Sequence, residues 1–337
     1  MLSHCSRLNN TLFVTASPKG VAVSVATTER EIYQKKTKIK EGKNLKQVDV
    51  SIVLAAYNEE KAIADELEII KKAMDSSKYS YEVIVVDDAS TDNTAKIVGK
   101  YPRVRLFERP INLGTGASRK YGTLQAKGKY VVWSDADLTY PNHQIPELVK
   151  VLDESEQYDQ VVGARTSEQG HTKILRVPAK WCIRKLAIFL TGSDIPDLNS
   201  GLRVFRRDVA LKYLYLLPRG FSCVTTMTLS FLINNHPVKY FPIEYKKRVG
   251  VSKFRPIHDT VRYLTQVIRM VMYFNPLKIF LPVAAALLFI GVGKLFYDII
   301  ARGFSITGST IVALMVAFQV LVIGLLADLI VGMSRKE

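Results

Sequence analysis

Short apolar runs and longer segments with helical spacing alternate along the chain from residue 48 onward. Four apolar runs with the length of buried strands lie at residues 50–56, 81–86, 104–107 and 130–133. Apolar side chains recur at helical spacing between some of them, at residues 59–76 and 114–126. Because strand–helix–strand connections join parallel strands, this alternation predicts an α/β domain with a mostly parallel sheet.

Polar residues follow three of these predicted strands. The segment 56–59 follows the first, Asp87 and Asp88 end the second, and Asp135 and Asp137 follow the fourth. In open sheets of this kind, ligands collect at the carboxyl ends of the strands. An acidic pair with this spacing is also common in ordinary turns, which is the alternative interpretation. Its place at a strand end favours a binding site, where two carboxylates can hold a divalent cation against phosphate.

Two long apolar segments near the C-terminus predict transmembrane helices at residues 277–300 and 310–333. Each has about the 20 residues that a helix needs to cross a bilayer. Their short linker predicts an antiparallel hairpin, and the alternative is a pair of buried core helices. Lys278 precedes the hairpin, Arg335 and Lys336 follow it, and Arg302 lies in the linker. This bias places the preceding domain and both termini in the cytoplasm.

Charge and cysteine content narrow the remaining classes. Lysine and arginine total 47 against 31 acids, a formal net charge of +16. Without zinc-ligand spacing or a recognition-helix pattern, this charge indicates contact with an anionic lipid surface, and we predict no nucleic-acid partner. Cys5, Cys182 and Cys223 are too scattered for a disulfide framework or a zinc site. Residues 1–47 are predicted to be a basic, disordered extension.

Two segments mix basic and apolar residues in the manner of helices at a membrane surface. Residues 173–190 predict an interfacial helix within a catalytic domain that spans 48–255, and residues 256–275 predict a juxtamembrane amphipathic helix. Either helix can instead pack on its own domain. The second segment leads directly into the predicted hairpin, so we expect it to run close to the bilayer.

Seven motifs, in this order, resemble glycosyltransferase family 2 and, within it, the polyprenyl-phosphate glycosyltransferase branch. That branch includes dolichol-phosphate mannose synthases and bactoprenol glucosyltransferases. The motifs are residues 55–59 (AAYNE), 86–92 (VDDASTD), 112–116 (NLGTG), 135–138 (DADL), 163–165 (GAR), 197–201 (DLNSG) and 248–254 (RVGVSKF). Two positions depart from the family pattern: Ala55 occupies a position where the family usually has proline, and Thr139 one where many members have glutamine. The resemblance implies a nucleotide-sugar-binding glycosyltransferase A-type fold.

The resemblance also implies roles for individual residues. The donor, a nucleotide sugar, would contact Ala56, Tyr57, Glu59, Asp87, Asp88, Gly114, Asp135, Ala136, Arg248, Ser252 and Lys253. Asp135 and Asp137 would hold Mg²⁺ or Mn²⁺ as the cofactor. Asp197, Asp137 and Arg165 are the expected catalytic residues, with Asp197 in positioning or base assistance. The acceptor phosphate would contact Arg165, Arg176 and Arg203.

The expected reaction is an inverting transfer of a hexose to a polyprenyl phosphate of the undecaprenyl type, at the cytoplasmic membrane face. UDP-glucose is the favoured donor, and GDP-mannose is the alternative. A processive polysaccharide synthase is disfavoured because Gln266–Met270 lacks the tryptophan of a QxxRW motif. A non-catalytic nucleotide-binding scaffold on the membrane is disfavoured by the intact acids. Paired hairpins in the bilayer favour a homo-oligomer.

Overall fold

The computed structural model describes residues 48–166, 184–185, 187–189, 191–220, 222–246, 265, 268–269, 272–303 and 305–334. Several sequence predictions fall outside these residues. They are the extension at 1–47, most of the two amphipathic helices at 173–190 and 256–275, and the site residues Arg176, Arg248, Ser252 and Lys253.

Seven strands in the described residues form one sheet. They are β1 (Val50–Ala56), β2 (Tyr81–Asp87), β3 (Val104–Glu108), β4 (Tyr130–Asp135), β5 (Gln160–Arg165), β6 (Arg203–Arg206) and β7 (Val238–Ile243). The order across the sheet is β3-β2-β1-β4-β6-β5-β7. Only β6 runs antiparallel to its neighbours, so the predicted α/β class with a mostly parallel sheet is confirmed.

Helices cover both faces of the sheet. Those of the α/β domain are α1 (Ile63–Asp75), α2 (Thr94–Val98), α3 (Thr115–Gln125), α4 (Ile145–Asp153), α5 (Arg207–Leu211) and α6 (Cys223–Ile233). On one face, Ile52 and Leu54 belong to a core that includes Ile70 and Leu148. On the other, Val53 and Trp133 belong to a core with Met227. Burial on both faces explains why these strands read as continuous apolar runs.

Two further helices, α7 (Leu277–Arg302) and α8 (Gly308–Ser334), pack against each other as a hairpin. Both are long and apolar enough to cross a membrane. The alternative of buried core helices is disfavoured, because only 11% and 17% of their most apolar 18-residue windows are buried. At the hairpin turn, Asp298 accepts hydrogen bonds from the hydroxyl groups of Thr307 (2.7 Å) and Thr310 (2.6 Å).

An apolar cluster connects the base of the hairpin to the α/β domain. Phe274, just before α7, packs with Leu229 of α6 and with Ile195 and Leu198. Ile279 of α7 adds to the same cluster. The loop around residue 197 is therefore held beside the start of the candidate membrane spans.

Candidate active site

A cavity of about 270 Å³ opens at the carboxyl ends of β1, β2 and β4. Its lining includes eight of the residues predicted from the sequence: Ala56, Tyr57, Glu59, Asp88, Gly114, Asp135, Ala136 and Asp137. The sheet register explains this convergence, because Ala56 pairs with Asp87 and Ala55 pairs with Asp135. Parallel pairing without a shift thus brings three polar strand ends to one edge of the sheet.

The turns after these three strands share an unusual backbone conformation. Asn58, Ala89 and Leu138 have φ angles of 53°, 64° and 61°. Residues with a Cβ rarely adopt this left-handed region, and such strain clusters at functional sites. In the described residues, only Asn235 is a further non-glycine residue of this kind. The strained turns are therefore concentrated around the cavity.

Asp87 and Asp88 have different tasks. The buried Asp87 carboxylate accepts hydrogen bonds from both the amide (3.0 Å) and the hydroxyl of Ser90. Asp88 lines the cavity and accepts hydrogen bonds from the amides of Leu113 (3.1 Å) and Gly114 (2.6 Å). Asp87 is outside the cavity lining, and its hydrogen bonds to Ser90 hold the turn after β2.

Close backbone packing fixes the loop before α3. Gly114 has a φ angle of 92° and lines the cavity. A Cβ on Gly116 would lie 2.1 Å from the carbonyl oxygen of Pro218, and the Gly116 amide donates to the Arg219 carbonyl at 2.8 Å. Gly220 then lines the cavity as well. These glycines therefore allow one loop to approach another, in addition to leaving room for a ligand.

Each acid of the Asp135/Asp137 pair has its own support. The Arg119 guanidinium of α3 donates to Asp135 Oδ1 at 2.6 Å, and the Arg119 side chain is only 3% exposed. The buried Asp137 accepts the Thr139 hydroxyl at 2.5 Å and the Thr139 amide at 3.3 Å. Sequence reasoning missed Arg119, although a charged residue within the apolar spacing of a predicted helix was an available signal.

The carboxylates of Asp135 and Asp137 are ligands that suit a magnesium-type ion. Both carboxylates line the cavity, and Mg²⁺ usually takes one or two carboxylates while substrate phosphates and water fill its other positions. Within the part of the chain that the structure describes, no group of three or more histidine, cysteine or acidic side chains could hold a metal. The residues present therefore fit a cation bound together with a diphosphate, rather than an all-protein metal site.

Arg165 and Asp197 form a second charged unit. The Arg165 Nε and Nη2 atoms donate to the two Asp197 carboxylate oxygens at 2.6 and 2.9 Å. Burial raises the pKa of Asp197, but hydrogen bonds and charge from Arg165 outweigh this effect and the pKa is lowered. Asp197 is consequently an ionised carboxylate that orients Arg165.

Tyr245 connects the two charged units. The Arg165 guanidinium lies 5.2 Å from the centre of its ring. Burial raises the pKa of Tyr245, the carboxylates Asp137 and Asp135 raise it further, and Thr139 and Arg165 oppose them. The tyrosine is thus within electrostatic reach of both acids and of Arg165. The sequence motifs did not single it out.

Arg203 does not fit its predicted contact with the acceptor phosphate. It is fully buried in β6, and its guanidinium donates to the Val224 carbonyl (2.7 Å), the Thr228 hydroxyl (2.8 Å) and the Ser200 carbonyl. Burial lowers its pKa to about 10. With these donors committed inside the protein, Arg203 holds α6 and the 200–203 segment against the sheet.

The fold and this cavity define a glycosyltransferase with a GT-A-like α/β domain. The family model for "Glycosyl transferase family 2" matches residues 51–214, and the model for "GtrB C-terminal hairpin" matches residues 275–333. The chain therefore contains a glycosyltransferase family 2 domain and a GtrB-type C-terminal hairpin.

Two relatives have names that describe sugar transfer to a polyprenyl phosphate. Dodecaprenyl-phosphate galacturonate synthase of Rhizobium johnstonii is 26% identical over 305 residues, which cover 85% of this chain and 88% of the relative. Dolichyl-phosphate beta-glucosyltransferase ALG5C of Trichomonas vaginalis is 28% identical over 249 residues, covering 68% and 72%.

A solved structure supports the fold. Glucosyl-3-phosphoglycerate synthase from Mycobacterium tuberculosis, in complex with Mn²⁺, UDP and phosphoglyceric acid, aligns with a TM-score of 0.53 at 20% identity. The alignment covers 67% of this chain and 78% of that one.

Proposed function

We propose that this protein transfers a hexose from a nucleotide sugar to a polyprenyl phosphate at the cytoplasmic face of a membrane. One structural relationship carries the proposal. Asp197, which orients Arg165 near the cavity, directly precedes Leu198, which packs on Phe274 at the base of the hairpin. A donor bound in the cavity would therefore lie close to the membrane, where a lipid phosphate can reach it.

The donor is proposed to occupy the cavity with its base and ribose near Tyr57, Glu59 and Asp88. An aromatic ring can stack on a base, and carboxylates accept hydrogen bonds from base N–H groups or ribose hydroxyls. Asp135 and Asp137 would hold Mg²⁺ or Mn²⁺ beside the diphosphate. When bound, such a cation offsets the negative charge that accumulates on the departing nucleotide diphosphate.

The acceptor phosphate is proposed to bind Arg165, whose planar guanidinium suits phosphate oxygens. The second ionisation of a phosphate monoester lies near pH ~6, so at neutral pH the acceptor is largely a dianion and needs little help from a base. Its oxygen attacks the anomeric carbon as the bond to the diphosphate breaks, which inverts that carbon. The ionised Asp197 acts by orienting Arg165.

Three residues of the 248–254 motif complete the proposed donor site. Arg248, Ser252 and Lys253 would offer cationic and hydroxyl contacts for the diphosphate. These roles come from the family motif. We expect substitution of Lys253 by alanine to raise the KM for the donor without changing the KM for the lipid.

UDP-glucose is the favoured donor, supported by the glucosyl transfer named for the Trichomonas relative. GDP-mannose is the alternative. Purified protein should be incubated with a panel of labelled nucleotide sugars, with and without undecaprenyl phosphate. A chloroform-soluble product that carries one sugar and appears only with the lipid supports the proposal. Label released to water alone, or no product from any donor, contradicts it.

The hairpin is proposed to leave both termini and the catalytic domain in the cytoplasm. Lys278 at the start of α7 supports this orientation through the positive-inside bias. Reporter fusions at the C-terminus and in the hairpin turn near Gly303 test it. We expect the C-terminal fusion to report cytoplasmic and the turn fusion to report the opposite side; the reverse pattern refutes this topology.

A further inference from the structure

Glu66 is a buried acid outside the cavity that touches the turn carrying Asp137. It lies on the inner face of α1 and is 1% exposed. Its Oε2 atom accepts a hydrogen bond from the Leu138 amide at 2.9 Å. Its Oε1 atom accepts the side-chain amide of Asn142, whose own oxygen accepts the Ser134 hydroxyl at 2.7 Å.

These contacts enclose the acidic pair from both sides. Ser134 directly precedes Asp135, and Leu138 directly follows Asp137. Asn142 therefore binds the turn just before its first acid, at Ser134, and Glu66 binds it just after its second acid, at Leu138. Burial raises the pKa of Glu66 to about 7, so placing an acid here costs free energy when it is charged.

The backbone conformation of Leu138 explains why the turn needs this hydrogen bond to Glu66. Its φ angle of 61° lies in the left-handed region, where the Cβ of leucine crowds the backbone. Left to itself, this residue would relax to a negative φ, and the peptide before it would rotate together with Asp137. The hydrogen bond from the Leu138 amide to Glu66 opposes that relaxation.

We propose that Glu66 is a positioning residue that, through the Leu138 amide, holds the Asp135–Asp137 turn in the conformation that binds a divalent cation. The proposal rests on the proposed function, in which these two acids hold the cation. Groups that orient metal ligands from behind commonly change metal affinity by about 10- to 100-fold when they are removed.

Three variants separate this role from a general need for a buried acid. Glu66→Leu keeps a similar volume and removes both acceptors. Glu66→Gln removes the charge but keeps an acceptor for the Leu138 amide, because the Asn142 amide can turn over to accept from glutamine. Glu66→Leu combined with Leu138→Gly removes the acceptors but also the crowding Cβ. Glu68→Gln, on the exposed face of the same helix, is the control.

The measurement is Mn²⁺ binding to the full-length protein in detergent with UDP present, followed by electron paramagnetic resonance. UDP affinity in EDTA and thermal unfolding are recorded for every variant. We expect Glu66→Leu to bind Mn²⁺ about 10-fold or more weakly, with UDP affinity in EDTA unchanged. Glu66→Gln and Glu68→Gln should bind Mn²⁺ like the wild type, and the double variant should regain affinity.

Three results would overturn the proposal. Wild-type Mn²⁺ affinity in Glu66→Leu excludes a positioning role, and equal weakening by Glu66→Gln assigns the effect to charge. If Glu66→Leu unfolds, a folded double variant that still binds Mn²⁺ about 10-fold or more weakly than the wild type also excludes it. Absence of Mn²⁺ binding in the wild type contradicts the metal assignment itself, and the lipid-transfer assay then decides separately whether the proposed function survives.

Discussion

Arg165 holds Asp197 through two parallel hydrogen bonds of 2.6 and 2.9 Å, and its guanidinium lies 5.2 Å from the ring centre of Tyr245. Both Asp197 oxygens accept hydrogen bonds from Arg165, and the pKa of Asp197 is lowered. We therefore propose that Asp197 orients the Arg165 guanidinium rather than acting as a base. This relationship decides how the acceptor site should respond to substitution and to pH.

Arg165→Lys should raise the KM for the lipid phosphate by about 10-fold or more. Lysine cannot make the two parallel hydrogen bonds to Asp197 that orient the side chain, and it lacks the planar guanidinium that suits phosphate oxygens. The KM for the nucleotide sugar should change little. Steady-state kinetics with each substrate varied in turn measure both. Arg203→Lys is the contrasting variant: it removes buried hydrogen bonds and should lower the melting temperature while leaving the lipid KM unchanged. A raised lipid KM in that variant would restore Arg203 as an acceptor contact.

Asp137→Asn should abolish transfer while the protein stays folded. The substitution removes a charge that lines the cavity but keeps an oxygen that can accept the Thr139 hydroxyl. Transfer to lipid and thermal unfolding are measured side by side, with the exposed Asp65→Asn as the matched control. Unchanged turnover in Asp137→Asn is the result that would sink the proposed mechanism.

The pH dependence of transfer should follow the acceptor rather than Asp197. The rate should rise as the lipid phosphate loses its second proton near pH ~6. Asp197 has a lowered pKa and stays ionised throughout this range. Asp197→Asn should therefore transfer more slowly but keep the same acidic limb in a profile of kcat/KM against pH. Loss of that limb in the variant would instead identify Asp197 as the base.

Glu66 should make stability depend on pH. Its pKa rises from 4.5 to about 7 on folding. The contribution of the protonated side chain to the free energy of unfolding is therefore fully present below pH 4.5 and is lost as the pH rises through 7. Each pKa unit corresponds to about 1.4 kcal/mol, so the wild type should lose roughly 3 kcal/mol relative to Glu66→Gln over this window. Urea unfolding in EDTA at pH 5 and pH 8 checks the difference. A difference independent of pH contradicts the raised pKa.

Gly116→Ala should lower the free energy of unfolding by about 1–3 kcal/mol and weaken donor binding. The added Cβ would lie 2.1 Å from the Pro218 carbonyl oxygen, and the loop it displaces carries Gly220 in the cavity lining. Gly99→Ala is the control, since the nearest atom to its Cβ would be the Ala95 carbonyl oxygen at 3.4 Å. Equal stability of the two variants would show that the 218–220 loop yields easily.

Much of the fold could be predicted from the chain because its signals are local. The four apolar runs became β1 to β4 within two residues at each end, since burial on both faces demands continuous apolar sequence. The two long apolar segments became the helices α7 and α8, each long and apolar enough to cross a membrane. The antiparallel β6 was not predicted, because four residues with a buried arginine among them carry little pattern.

The candidate site also has features that the sequence predicts and features that depend on the tertiary structure. Sequence alone determined that Asp88, Asp135 and Asp137 would meet, because motifs at the ends of neighbouring parallel strands must converge. Only the tertiary structure decided which charges they would face. Arg119 reaches Asp135 from α3 and Glu66 reaches Leu138 from α1, while Arg203 turns its donors into the protein. Those contacts depend on how helices pack across the sheet, which no local pattern of residues specifies.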